Sequence, residues 1–333
     1  MIEPVKVFIT VDVEMSIGGA FADKSLKPVG ADKRVYCKIK DSNYGIPLII
    51  DILGKFGLKA TFFLEVLNMH YFGMHEMENA CRYLLRNEQD VQLHIHPNYL
   101  NFLEPYPPTE RRFSDLMANY SLEEQTKLIS EAKGLLQSYS GNNITAFRAG
   151  CFGANLDTLT ALKNNGFLID SSYSRTHLQT SCFLDHSVVN DLIRIEDIYE
   201  FPITHFWEKS YIRKPRLMPL DINGVSGREC IAAMEQTPAS GPSCVTIILH
   251  SFSFVKAYDV QYSHLRPRRN VITRFIQLCR FLGDNKSRFS VRTLGSLTKE
   301  DLTALQNHSS HHVPQVPWWL SILRGIAQVK DRF

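Results

Sequence analysis

The 333-residue sequence predicts an α/β fold, best fitted by a complete or distorted (β/α) barrel of seven or eight parallel strands with extra loops and a C-terminal tail. Three observations lead there. Apolar, β-branched-rich runs alternate with stretches of helical periodicity, the pattern of parallel strands joined by crossover helices. The strand runs are apolar enough to read as buried. Polar, chemistry-bearing residues then fall at predicted C-terminal strand ends, the rim on which barrels carry active sites.

The first strand covers about 5–13, and a long loop with Gly18, Gly19 and Gly30 follows. A helix is expected from Tyr44 to Phe56, capped by Ser42 or Asn43 and stopped by Gly57. Lys59–Glu65 reads as the second strand, 75–87 as a helix and 90–96 as the third strand. A Pro-rich loop at 104–108 leads to an amphipathic helix from Ser121 to Tyr139, where Ser121 and Glu124 form a capping-box pattern. Strand four is Ile144–Phe147, a helix covers 155–164 up to Gly166, and strand five is Phe167–Asp170. Residues 198–204 and 211–221 look extended, and 226–235 helical. Cys244–Leu249 is a strong strand, Val271–Leu282 a helix and Phe289–Arg292 a final strand.

These elements place 1–298 in one barrel and 299–333 in a polar linker with an amphipathic segment. In that segment Trp319, Ile322, Leu323 and Ile326 share a helical face, while Arg324, Lys330 and Arg332 supply charge. It suits an interfacial membrane helix, or a tail packed on the barrel or on a dimer partner. Asn307–His312 reads as a solvated linker rather than a second metal site.

A hydrophobic content of 44% excludes global disorder. A net charge of +3, without a basic stripe, argues against nucleic acid as a partner. The seven cysteines are scattered, odd in number and form no CxxC, which suits free thiols in a reducing compartment. Met1–Lys6 shows no secretory pattern and no apolar run reaches about 18 residues, so a cytoplasmic protein is expected, with a peripheral place at the inner face of the membrane as the alternative.

Two short pairs carry the chemistry. Asp12 and Glu14 end the first strand, and His94 and His96 end the third. Residues two apart on a strand share a face, so each pair points one way. Two carboxylates and two imidazoles on one rim suit a divalent metal. Arg148, Asp170 and His250 fall at further strand ends, as does Glu65.

With these residues the sequence resembles the polysaccharide deacetylases of the NodB-homology type, carbohydrate esterase family four. The matching pieces, in order, are Thr10–Glu14, Ala60–Phe63, His94–Pro97, Phe147–Gly150, Ile169–Ser172 and Leu249–Ser251. They span residues 5 to about 295. The resemblance implies a distorted (β/α) barrel, one divalent metal and hydrolysis of an N-acetyl or related N-acyl group on a sugar. Two departures mark a divergent branch. Val13 stands where the family has the second of two adjacent aspartates, and the two histidines are two residues apart rather than four.

Amide hydrolysis needs an activated water, a site for the oxyanion and an acid for the leaving amine. The expected metal ligands are Glu14, His94 and His96, three protein groups that leave a position open. Zinc is the first expectation, with cobalt, nickel or manganese as alternatives. The resemblance makes Asp12 the base, with an exchange of roles between Asp12 and Glu14 left open. It makes Arg148 the partner that aims the base, the other readings being a structural ion pair or a phosphate contact. Backbone N–H groups at Gly150 or Cys151 are candidates to share the oxyanion. Cys151 is a poor nucleophile because no base is identified for it. The resemblance makes His250 the general acid. Asp170 is read as the carboxylate that orients His250, or as a turn former. Glu65 is a weaker candidate for substrate or ligand support, and Tyr173, Phe206 and Trp207 are candidates to stack on sugar or fill the core.

The leading expectation is therefore a metal-dependent hydrolase of an acylated amino sugar, nucleotide- or lipid-linked, in surface polysaccharide synthesis. The rival readings are a deformylase or small-molecule amidohydrolase with the same site, and a carbohydrate-binding relative without catalysis.

Overall fold

The computed structural model describes residues 4–103, 113–186, 188–209, 214–240, 244–306 and 313–330. Within them, one nine-stranded sheet organises the chain. Its strands run in the order Cys244–His250, Val5–Val13, Thr61–Glu65, Asp90–Ile95, Ala146–Ala149, Ile169–Asp170, Ile198–Glu200 and Ile193–Ile195, with Phe289–Val291 beside the start of Val5–Val13. Every pairing is parallel except the last, where Ile193–Ile195 returns antiparallel along the edge. The gap between the two ends of the sheet is crossed by irregular backbone. Thr204 N–H donates to Thr246 O at 3.0 Å, and Ile248 N–H to Leu220 O at 3.0 Å. This is the expected distorted barrel.

Period-two alternation assigns the two faces of the first strand. Val7, Ile9, Val11 and Val13 enter the large core between sheet and helices. Phe8 enters a second cluster with Phe63, Ala146, Ile169 and Phe201, which fills the barrel interior. Phe8 and Phe201 meet edge to face with centroids 5.2 Å apart. Fully burying each such ring stabilises the fold by roughly 1.5–3 kcal/mol. Above this apolar floor, Thr10 and Asp12 continue on the same inward face, and Arg148 reaches both from across the barrel. The interior thus changes from apolar to polar toward the C-terminal rim.

Helix ends follow local chemistry. The Ser121 capping box on Leu122–Ser140 forms as expected, and Asn155 with Thr158 builds a second one on Leu156–Asn164. The helix Ile46–Lys55 departs from expectation. Its N-cap is Gly45 without a side-chain cap, and Ser42–Asn43 instead pairs with Lys38–Ile39. Gly57, at φ +63°, does end that helix. The expected strand Ile144–Phe147 is displaced to Ala146–Ala149.

Of the C-terminal segment, Lys299–Gln306 is a helix whose Leu302 and Leu305 join the cluster inside the barrel. Gln315–Val316 pairs with His205–Glu208. The helix Trp318–Lys330 leaves Trp319, Ile322, Leu323 and Ile326 exposed. Arg324 differs from its expected surface role. It turns inward, pairing with Glu208 at 2.7 Å and Glu229 at 3.2 Å. No described helix is long and apolar enough to cross a membrane. The Pro-rich loop 104–108, the His-rich linker 307–312, the side chain of Lys330 and Arg332 lie outside what is described.

Candidate active site

Strand register assembles the site. Asp12 is level with His250 on one side and Phe63 on the other, Glu65 is level with His94, and His94 with Arg148. Five strands therefore deliver residues at their C-terminal ends to one rim. Glu14 follows Asp12 on the same face, one residue beyond the strand.

Glu14, His94 and His96 converge, with their ligand atoms all within 4.8 Å of one another. Glu14 Oε2 lies 2.7 Å from His96 Nε2 and 3.4 Å from His94 Nε2. Each imidazole is fixed from behind. His94 Nδ1 lies 2.8 Å from the Arg148 carbonyl oxygen, so that nitrogen carries the proton and Nε2 faces the cluster with its lone pair. His96 Nδ1 lies 3.0 Å from Asp115 Oδ1, the carboxylate–histidine arrangement that orients metal-binding imidazoles. Two imidazoles and one carboxylate of this orientation fit a divalent ion with an open position.

Glu14 is held on its other side. Arg34 Nη2 donates to Oε1 at 2.8 Å. Arg34 is in turn clamped by the Phe252 ring, 3.3 Å below its guanidinium carbon, and by the Tyr262 hydroxyl. Burial alone would raise the Glu14 carboxyl. The positive charge and hydrogen bond of His96, together with Arg34, hold it well below the usual carboxylate range. Burial likewise opposes charge on His96, yet Asp115 and Glu14 raise its pKa well above an ordinary histidine.

Close packing sets the position of His96. A Cβ on Gly150 would meet the His96 ring at 2.6 Å, so only glycine lets the ring lie there. The next residue, Cys151, has φ +55° and places its thiol 3.5 Å from Asp115 Oδ2. Burial pushes that thiol up to about 11, which makes it a poor nucleophile.

The second half of the site is the Asp12–Arg148–His250 group. Arg148 is fully buried and spends its donors on Asp12 Oδ1 at 2.7 Å, Thr10 Oγ1, Ser171 Oγ and Ser171 O. Its guanidinium also lies 4.4 Å above the Phe63 ring. Asp12 Oδ2 is left facing His250, whose Nε2 is 3.9 Å away.

Several expected residues sit elsewhere. Asp170 does not orient His250. Its Oδ1 accepts from Ser172 Oγ at 2.6 Å, and its strand register sets it beside Glu200. The carboxylate within reach of His250 is Asp12. Tyr173 and Phe206 are fully buried in the core and have no face for a sugar, whereas Trp207 is 38% exposed. Glu65 is fully buried, and its carboxylate accepts from the N–H groups of Leu67 and Asn68, closing the turn after the strand. Burial pushes it up to about 7. Asp115 and Arg34 were missed. Neither ends a strand: Asp115 lies in a loop and Arg34 closes the one-turn helix Ala31–Arg34.

Sequence comparison matches no family model and no curated protein. Comparison of folds does find similar structures. A protein from Mycobacterium smegmatis assigned to the polysaccharide deacetylases superposes with a TM-score of 0.54 over 94% of each chain, at 13% identity. The chain has the polysaccharide deacetylase fold. More distant similarities include the peptidoglycan deacetylase PdaC from Bacillus subtilis (TM-score 0.40, 12% identity, 99% of this chain and 98% of that one). They also include a 4-alpha-glucanotransferase from Thermococcus litoralis (TM-score 0.48, 10% identity, 99% of this chain and 47% of that one). On the deacetylase fold, the Glu14–His94–His96 cluster and the Asp12–Arg148–His250 group share the C-terminal rim.

Proposed function

We propose that this protein is a metal-dependent hydrolase that removes an N-acetyl or related N-acyl group from an amino sugar. The observation that carries this reading is the pairing of two sites on one rim. A three-ligand cluster with its imidazoles pre-aimed stands beside a carboxylate and an imidazole 3.9 Å apart. A divalent ion held by Glu14, His94 and His96, zinc as first choice, supplies Lewis acidity toward the amide carbonyl and makes water more acidic.

The remaining chemistry belongs to the chain's own residues. Asp12 Oδ2 takes a proton from the attacking water, while Arg148 holds Oδ1 and fixes the carboxylate's direction. His250 gives a proton to the nitrogen as its bond to the acyl carbon breaks. The products are a carboxylate and a free amine. The Arg148 ion pair is buried, so removing the guanidinium would strand Asp12 and cost about 3–5 kcal/mol of stability.

The amino sugar is carried on a nucleotide or a lipid, as an intermediate of surface polysaccharide synthesis. A cytoplasmic, membrane-side location goes with this reading. Its support is the exposed apolar row Trp319, Ile322, Leu323 and Ile326 on the C-terminal helix. The experiment is a release assay with zinc-reconstituted protein on N-acetylated amino sugars offered free, nucleotide-linked and lipid-linked. The reading expects acetate and free amine in equal amounts from at least one carrier form. Turnover of acyl amides that lack a sugar, with none of the sugars cleaved, would contradict it.

A further inference from the structure

Beyond His250 the rim opens into a cleft of about 660 Å³. One wall is the hairpin formed by Val255–Ala257 and Leu265–Pro267. Another comes from the start of the helix Arg269–Asp284. Among the described residues that line the cleft, Lys256, Arg266, Arg268 and Arg274 are cations and none is a carboxylate. His250, Phe252 and Tyr262 form its border with the catalytic rim.

The cations are held in place. Arg268 Nη1 donates to Asn223 Oδ1 at 2.7 Å and Ser253 O at 3.3 Å. Arg274 is 5% exposed and donates to the carbonyls of Ile222 and Asn223. Burial, and then the neighbouring charge of Arg268, lower its pKa. Lys256 and Arg266 flank the Tyr258 ring at 5.3 and 5.7 Å. Like charges gathered in a half-closed cleft raise the local positive potential, and a bound anion relieves it. Four cations exceed what one carboxylate needs and match a group of two or more negative charges.

Direction decides what that group belongs to. This step rests on the proposed deacetylase reading. His250 faces the leaving nitrogen, so the sugar attached to that nitrogen extends past His250, away from the Glu14–His94–His96 cluster. We propose that the cleft is a phosphoryl subsite that holds the phosphate or diphosphate joined to the amino sugar. A nucleotide diphosphate and a polyisoprenyl diphosphate present the same chemistry there.

The test is calorimetric titration of the full chain with inorganic pyrophosphate. The wild type, the double variant Lys256→Gln/Arg266→Gln, the single variant Arg268→Gln and His94→Ala would be compared. Saturable binding by the wild type is expected, weakening as salt is raised. Each set of cleft substitutions should weaken it by about tenfold or more. His94→Ala should bind as the wild type does. Displacement of pyrophosphate by a uridine-diphosphate N-acetylhexosamine, or by vesicles carrying a polyisoprenyl-diphosphate N-acetylhexosamine, identifies the carrier, and either supports the proposal. No saturable binding, or displacement by neither conjugate, would overturn it. So would binding lost in His94→Ala but kept in the cleft variants, because the anion would then sit at the metal cluster. Failure of the two readings is separable. Pyrophosphate held by these residues in a protein that releases no acetate defeats the deacetylase reading alone. Acetate release from neutral sugars without pyrophosphate binding defeats the subsite alone.

Discussion

Two pairs of carboxyl groups at or just past strand ends of the same sheet meet opposite surroundings. Asp12 and Glu14 face cations: Arg148 on one, Arg34 and His96 on the other. Asp170 and Glu200 face each other. Their strand register sets them side by side, and Asp170 Oδ2 and Glu200 Oε2 have no bonded donor. Burial, followed by the charge of Asp170, pushes the Glu200 carboxyl well above the usual range, so this pair retains a proton. Position at a strand end is therefore not what makes a carboxylate useful on this rim. The counter-charge across from it is.

The strongest way to break this comparison is at Asp12. Asp12→Asn keeps the shape and the Arg148 contact but removes the base. Turnover should fall by roughly 10²–10⁴-fold while metal content stays that of the wild type. Loss of metal together with activity would mean that Asp12 is a ligand and that its role and that of Glu14 are exchanged.

Gly150→Ala tests the packing behind the cluster. The added methyl would overlap the His96 ring, so the imidazole must move. Metal affinity should drop by more than tenfold, with a smaller change in melting temperature, as read by chelator competition and thermal unfolding side by side. Unchanged affinity would show that the ring has room to shift without cost.

Asp115→Asn is gentler. It leaves a hydrogen-bond acceptor for His96 Nδ1 but removes the charge. A loss of about 10–100-fold in metal affinity is expected, the usual effect of removing such support. An effect no larger than that of a surface substitution would exclude Asp115 from the site.

These residues also show what was legible in the chain. Asp12, Glu14, His94, His96 and His250 were readable because strand alternation and the C-terminal rim place them without knowledge of distant contacts. Arg148 was readable for the same reason. Asp115 and Arg34 were not, because a loop and the single helical turn Ala31–Arg34 are too short or irregular to carry a period that fixes where a side chain points. Asp170 gave the same strand-end signal as Asp12. Its partner, Glu200, lies 30 residues on, and that pairing is set by sheet order alone. Tyr173 and Phe206 were ambiguous since aromatic side chains suit a core and a sugar face equally. The capping box at Ser121 held because it is local. The Gly45 cap did not announce itself, since it depends on contact with the Val35 backbone.

The Asp170–Glu200 pair should show the smallest effect. A carboxyl whose pKa is raised on folding stabilises the native state fully below its unfolded value and loses that contribution as pH rises through the folded value. For Glu200 the loss begins near 4.5, the ordinary glutamate value, and continues upward. Glu200→Gln mimics the protonated group. The variant's melting temperature should gain on the wild type steadily as pH is raised from about 4.5, with activity little changed. A constant difference across pH would show that no proton is held there.

Metal content tests the Glu14–His94–His96 ligand assignment most directly. Purified wild-type protein would be reconstituted with zinc and measured beside His94→Ala and His96→Ala. Close to one metal per chain is expected in the wild type and a loss in both variants, with folding intact by circular dichroism. A wild type that takes up no zinc, cobalt, nickel or manganese, or variants that keep full occupancy, would contradict it.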